Sequence, residues 1–104
     1  MNCVICDAGQ ETVNHLFSQC RYSRYVFDEI GAWCDIKLPA DDCITWWIHY
    51  RERSATKKKI VGVILASCIS NLWNVRNVAK IDLVVTNQKY VIRRIKNYVI
   101  RRID

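Results

Sequence analysis

Proline occurs once and glycine three times in this 104-residue chain. With 51% hydrophobic residues, that scarcity excludes a linker-like or collagen-like polypeptide and points to a packed domain. Long uncharged runs are also missing. The longest, Ile60 to Val75, covers sixteen residues, short of the roughly 18 expected of a spanning helix, and it carries Ser67, Ser70, Asn71 and Asn74. A buried core helix is the better assignment, and a membrane span is disfavoured. The acidic residues Asp28, Glu29, Asp35, Asp41 and Asp42 show no pairing suited to acid–base catalysis. Ahead of Cys3 there is no room for the charged and apolar regions of a secretory signal. The expected setting is therefore a reducing intracellular compartment, nucleus or cytoplasm. No internal repeat or low-complexity tract is visible, and the length fits a single domain spanning 1–104.

Cysteine, in contrast, is plentiful, with six residues. A disulfide framework is one use of such a count. The spacing favours a metal instead: Cys3-x2-Cys6 is followed by His15-x4-Cys20, three thiolates and one imidazole within eighteen residues. Two intervening residues let one tight turn aim Cys3 and Cys6 at a single ion, and four fit a helical turn plus a step between His15 and Cys20. Cys3, Cys6, His15 and Cys20 thus form a predicted Cys₃His set for one structural Zn²⁺, with every tetrahedral position filled by protein and none left for an activated water. Residues 1–20 become a zinc-binding segment and 21–104 a helical region. Such a segment contains few apolar side chains of its own, chiefly Val4, Ile5, Leu16 and Phe17, so the ion is expected to hold it in place. Cys34, Cys43 and His49 do not make a second site, because their spacing is irregular and a fourth ligand is missing. His49 has no orienting carboxylate for Cys–His catalysis.

Hydrophobic periodicity predicts a mostly α fold, a small bundle of about four helices with the zinc clip at its N-terminal end. From Tyr22 to Cys34, Val26, Ile30 and Trp33 recur at helical spacing beside Phe27 and Cys34. Gly31 weakens that helix by up to ~1 kcal/mol relative to Ala. Pro39 ends helical continuation, and Asp41 or Asp42 caps a short helix to about Tyr50 that carries Ile44, Trp46, Trp47 and Ile48. Ser54 or Thr56 then caps a long helix from Lys57 to about Ile81. Its row Ile60, Ile64, Cys68, Leu72 and Val75, flanked by Val61, Leu65 and Ile69, places it at the centre of the fold. Leu83-Val84-Val85 reads as a loop or frayed end. The last helix, Asn87 to Ile103, sets Val91, Ile92, Ile95, Val99 and Ile103 against a charged face.

Charge is divided unevenly along the chain. Residues 1 to 50 carry three basic and seven acidic side chains, whereas residues 51 to 104 carry thirteen basic and three acidic. Lys57, Lys58 and Lys59 sit in the first turn of the long helix, where they oppose the helix dipole. With Lys89, Arg93, Arg94, Lys96, Arg101 and Arg102 they form a candidate surface for the phosphates of RNA or DNA. Trp46, Trp47, Tyr50 and Tyr90 are candidate stacking platforms for unpaired bases. The bland alternatives are that these cations solvate helices buried on their other faces and that the tryptophans fill the core. A basic amphipathic helix also suits an anionic membrane or a partner groove.

The words Cys3-x2-Cys6, Glu11-Thr12, His15-Leu16-Phe17-x2-Cys20 and Tyr22-Ser23-Arg24-x-Val26 resemble the zinc-binding domain that follows the reverse transcriptase of plant non-LTR retrotransposons. Trp73-x2-Arg76-Asn77 is similar to a W-x2-R-N step further along that family. The resemblance covers the first third of the chain well and implies the same four zinc ligands. Phe27 stands where the family has Trp, and neither the family's upstream helical half nor a polymerase segment accompanies the motif. It implies a non-catalytic, retrotransposon-derived zinc-binding module that contacts RNA or DNA through its basic C-terminal half. The competing expectation is a domesticated fragment acting as a protein-interaction or dimerisation module, through the Trp-rich segment and the last amphipathic helix.

Overall fold

The computed structural model describes residues 3–6, 12, 15–16, 20–36, 38, 47, 50 and 54–103, with 103 described by its backbone alone. Among these residues the chain forms three helices, not four: α1 (Arg21–Cys34), α2 (Ala55–Asp82) and α3 (Gln88–Ile103). The short helix expected from Asp41 or Asp42 to Tyr50 lies outside the described residues apart from its helical Trp47 and Tyr50. The Tyr50 amide donates to the Trp47 carbonyl at 3.2 Å. The mostly helical bundle expected from periodicity is present.

Each helix follows from its residues. α1 buries Val26, Phe27 and Ile30 and exposes Asp28 and Glu29. Trp33 departs from the expected stripe and is 40% exposed, because the helix ends one residue later and the ring lies at the bundle's margin. The end itself is a Schellman turn: Asp35 adopts the left-handed conformation, φ 57°. The Ile36 amide donates to the Gly31 carbonyl at 2.9 Å and that of Asp35 to Ala32 at 3.4 Å. Ser54 caps α2, accepting from the Lys57 amide at 3.2 Å. The predicted row is buried at Ile64, Cys68, Leu72 and Val75. A left-handed Leu83 closes α2, its amide donating to the Ala79 carbonyl at 3.1 Å. The turn that follows returns the chain as α3, antiparallel to α2, which buries Val91, Ile92, Ile95 and Val99.

The long helix contributes the most buried residues, as expected, and among the described residues α3 shares the centre of the fold with it. α3 packs against both α1 and α2, which meet each other far less. Its narrow apolar seam fills the space between them, whereas one side of α2, with Ala66, Ser70, Trp73 and Asn74, stays exposed. At 28 residues and about 1.5 Å per residue, α2 accounts for the longest dimension of the molecule, 41 Å. None of the helices of the described residues is long and apolar enough to cross a membrane.

One polar stitch joins the two ends of the architecture. The buried Tyr22 hydroxyl, in the first turn of α1, donates to the Thr86 carbonyl just before α3. Gln88 Nε2 donates back to the Tyr22 carbonyl at 3.4 Å. Burial, with the nearby Cys20, pushes the Tyr22 phenol up to about 12, so it stays a protonated donor.

Candidate metal centre and basic surface

The four residues predicted as ligands meet in space. One donor atom from each of Cys3, Cys6, His15 and Cys20 lies within 4.8 Å of all the others. The Cys3 and Cys20 sulfurs are 3.9 Å apart, and Cys6 Sγ lies 3.3 Å from His15 Nε2. The sulfur separation is far beyond the roughly 2.05 Å of a disulfide, and no disulfide joins the described cysteines. Cys3, His15 and Cys20 are buried and Cys6 partly so. This arrangement can hold one metal ion.

Local backbone chemistry explains how the ligands converge. Residues 4–6 form the tight turn that the Cys-x2-Cys spacing calls for. Thr12 caps the next turn twice over. Its hydroxyl accepts from the His15 amide at 3.0 Å, and its carbonyl accepts from Leu16 at 3.0 Å. The Cys20 amide then reaches the His15 carbonyl at 2.7 Å, an i→i+5 closure of π type. That wider turn is what lets a five-residue step bring imidazole and thiol together. Thr12 was visible in the sequence only as part of the Glu11-Thr12 step, yet it sets the orientation of the histidine.

Cys20 is also the first residue of the α1 cap, its carbonyl accepting from the Arg24 amide at 2.9 Å. Burial pushes its thiol up to about 11, against the opposing pull of the Ser23 and Tyr22 amides at the start of α1. A cation at the centre of the cluster reverses that preference, since a coordinating thiol is deprotonated outright. Cys3 and Cys20 belong to the same packed cluster as Val26, Ile64, Leu72 and Val91, with Ile5 and Cys6 against it. Leu16 is buried as well, while Phe17 lies outside the described residues. The clip is thus seated on the helical core.

Of the remaining cysteines, Cys68 is buried in the α2 row. Burial raises the Cys34 thiol, with Lys96 acting in the opposite direction. Cys43 and His49 lie outside the described residues.

All nine predicted phosphate-binding residues are described, and the structure divides them. Lys57 lines a cavity of about 310 Å³ with Trp33, Cys34 and Val99, and Lys96 sits 5.5 Å from the centre of the Trp33 ring. Lys58 and Lys59 line a different cavity, with Trp47 and Tyr98. Arg94 and Tyr98 line a third, against α2. Arg102 stacks on Tyr98 at 5.1 Å. Lys89, Arg93 and Arg101 are exposed and join neither group. Neither α2 before Asp82 nor α3 contains an acidic residue, so the helical hairpin carries eleven cations and a single carboxylate.

Several aromatic rings missed by sequence reasoning lie beneath these cations. Besides Trp33 and Tyr98, Trp73 carries Arg76 at 4.9 Å. Tyr90, one of the predicted stacking platforms, carries Arg94 at 5.8 Å. Trp47 carries Lys58 at 5.8 Å and stacks on Tyr50 at 6.0 Å; Trp46 lies outside the described residues. An aromatic four residues from an Arg or Lys on one helix is a readable signal for Tyr90–Arg94 and Tyr98–Arg102. Contact between Trp33 and Lys96 is not, because it joins two helices.

Compared with protein-family models, curated proteins and solved structures, the chain finds no match.

Proposed function

We propose that the protein is a non-catalytic, zinc-anchored module that binds RNA or DNA through the α2–α3 hairpin. The observation that carries the nucleic-acid assignment is the hairpin's charge, eleven cations against one carboxylate at its turn. Such a surface attracts a polyanion and releases its counterions on binding. Zinc suits the donor set. Bonds of about 2.3 Å to sulfur and 2.0–2.1 Å to nitrogen put tetrahedral neighbours roughly 3.6–3.8 Å apart, close to the 3.9 Å and 3.3 Å found here. Four protein ligands close the coordination shell, which suits a structural ion rather than a hydrolytic one.

The ligand words and the capping Thr12 are also what support kinship with the zinc-binding domain of plant non-LTR retrotransposon reverse transcriptases. Within that assignment the module anchors a nucleic-acid contact and leaves polymerisation to another domain.

Native mass spectrometry of the intact chain, with and without a chelator and then with a short RNA, tests both halves. One bound zinc and an RNA adduct that weakens steeply with salt are expected. A folded chain that takes up no zinc would sink the metal assignment, and no adduct at low salt would sink the nucleic-acid one.

A second class of function, protein interaction, draws on one specific observation. Val91, Ile95 and Val99 are buried within the bundle, so the apolar face of α3 is not free for a partner. Ile81, Leu83, Val84 and Val85 are exposed together at the α2–α3 turn. An interface there predicts a dimer that tolerates salt and is lost on Val84→Asp, measured by sedimentation.

A further inference from the structure

Four polar residues, Ser67, Ser70, Asn71 and Asn74, interrupt a helix that is otherwise apolar over Ile60–Val75, and the zinc clip makes no use of them. In the folded chain they lie along one side of α2 and line a cavity of about 540 Å³ that is open to solvent and flanked on its other side by Arg94 and Tyr98 of α3. A second cavity of about 530 Å³ adjoins it through Ala66 and Tyr98 and continues to Trp47, Gly62, Lys58 and Lys59. Positions 58, 62, 66, 70 and 74 fall on one i, i+4 row, so the two cavities form a continuous groove along about 24 Å of helix.

The lining changes character across the groove. Cations stand at its edges: Lys58 and Lys59 at one end and Arg94 further along, with Arg102 over the Tyr98 ring. Aromatic faces form the walls. Tyr98 is 43% exposed, and Trp47 approaches α2 so closely that a Cβ on Gly62 would stand 3.1 Å from its ring. The floor between them is small and hydrogen-bonding. The Asn71 amide is fixed by bonds to the Ser67 carbonyl at 2.8 Å and hydroxyl at 3.4 Å, which leaves its carbonyl oxygen as an acceptor.

We propose that this groove binds a single-stranded segment of nucleic acid, with phosphates against Lys58, Lys59 and Arg94, an unpaired base against Tyr98, and base edges at Ser70, Asn71 and Asn74, while Trp47, already packed on Tyr50 and under Lys58, closes one end. Charge complementarity selects a polyanion. Aromatic walls select one whose bases are unstacked, because a duplex hides those faces. Both hollows are open to solvent, with Ser70, Asn74, Arg94 and Tyr98 exposed along them, which leaves an extended strand room to enter. The inference rests on the nucleic-acid role proposed for the hairpin and adds to it a place, a strandedness and a means of contact.

The test uses the zinc-loaded full chain and fluorescence anisotropy with an unstructured oligonucleotide of about ten nucleotides, as RNA and as DNA, beside a duplex of the same sequence. Ser70→Leu fills the groove from an exposed helical position, and Tyr98→Leu removes an aromatic face while keeping apolar bulk. Each is expected to weaken single-strand binding about tenfold with the salt slope unchanged, since no phosphate contact is lost. The double variant Lys58→Gln, Lys59→Gln removes two charges from the groove's edge and should flatten the salt slope without removing the single-strand preference. Circular dichroism establishes that each variant folds. Equal binding of duplex and single strand, or wild-type affinity in both Ser70→Leu and Tyr98→Leu, overturns the groove while leaving the hairpin's charge-based role intact. Absence of binding to any probe overturns both. A dimer of the wild type that Ser70→Leu dissociates assigns the groove to a second copy and overturns the proposal.

Discussion

Gly31 lies in the last turn of α1, where a Cβ would stand 2.7 Å from the Ile36 carbonyl oxygen. That oxygen is backbone, and the same Ile36 donates its amide to the Gly31 carbonyl at 2.9 Å. The chain cannot retreat without opening the turn that ends the helix. Gly31→Ala is therefore expected to destabilise the protein by about 1–3 kcal/mol, despite the better helix propensity of alanine. A urea midpoint equal to or above that of the wild type would refute this. Leu83 presents the opposite case. It holds a left-handed conformation, φ 57°, that costs an L-residue roughly 1–2 kcal/mol, and its side chain is 87% exposed, so it returns little by packing. Glycine is the natural occupant of such a cap. Leu83→Gly should stabilise the fold by about 1 kcal/mol, visible as a higher melting temperature, and an unchanged or lower one would count against it.

At the scale of an element, the turn from Thr12 to Cys20 decides whether the histidine can be a ligand. Losing an N-cap hydroxyl costs about 0.5–2 kcal/mol, and the Thr12 hydroxyl holds the amide of His15, one of four residues that could hold a metal ion, so the loss should appear in metal affinity. Thr12→Ala is expected to weaken zinc binding about tenfold in competition with a chromophoric chelator, and Thr12→Ser to restore most of it. Equal affinity in all three proteins would show that the cap is incidental. The ligand set was legible in the sequence because spacing alone constrains how four donors reach one ion. Its π-type closure was not, since nothing in Leu16-Phe17-Ser18-Gln19 distinguishes an i→i+5 turn from an α turn. Helices with long apolar rows were legible to within a residue or two at their ends, and Ser54 was among the caps foreseen. Trp33 defeated the periodicity because a helix's last turn leaves the bundle, and Tyr98 was passed over because the groove it lines exists only after α3 folds back on α2. That α3 touches both other helices was hidden for the same reason. Periodicity records how much of a helix is apolar, not how many neighbours it has.

Across the whole molecule, the clip and the basic hairpin are joined by packing and hydrogen bonds. Cys3 and Cys20 are packed with residues of all three helices, and the hydrogen bonds among Tyr22, Thr86 and Gln88 tie the first turn of α1 to the chain entering α3. A structural zinc site in a small domain supplies roughly 10–16 kcal/mol of apparent binding energy at neutral pH, against a total stability of about 5–15 kcal/mol for a domain. Removing the ion should therefore leave the intact chain at or below the threshold of folding. Its effect should reach beyond the first twenty residues, because α1 loses its anchor and exposes the seam of α3 that it covers. Addition of a strong chelator is expected to lower the helical circular dichroism signal and broaden the thermal transition, and one equivalent of zinc should restore both. The surface charge of the hairpin sharpens this expectation: its eleven cations, offset by a single carboxylate, repel one another, so the hairpin without α1 is poorly placed to persist alone. Matching melting curves for the zinc-loaded and chelated protein would show instead that the helices hold together by packing alone, with the four ligands gathered as a consequence of the fold.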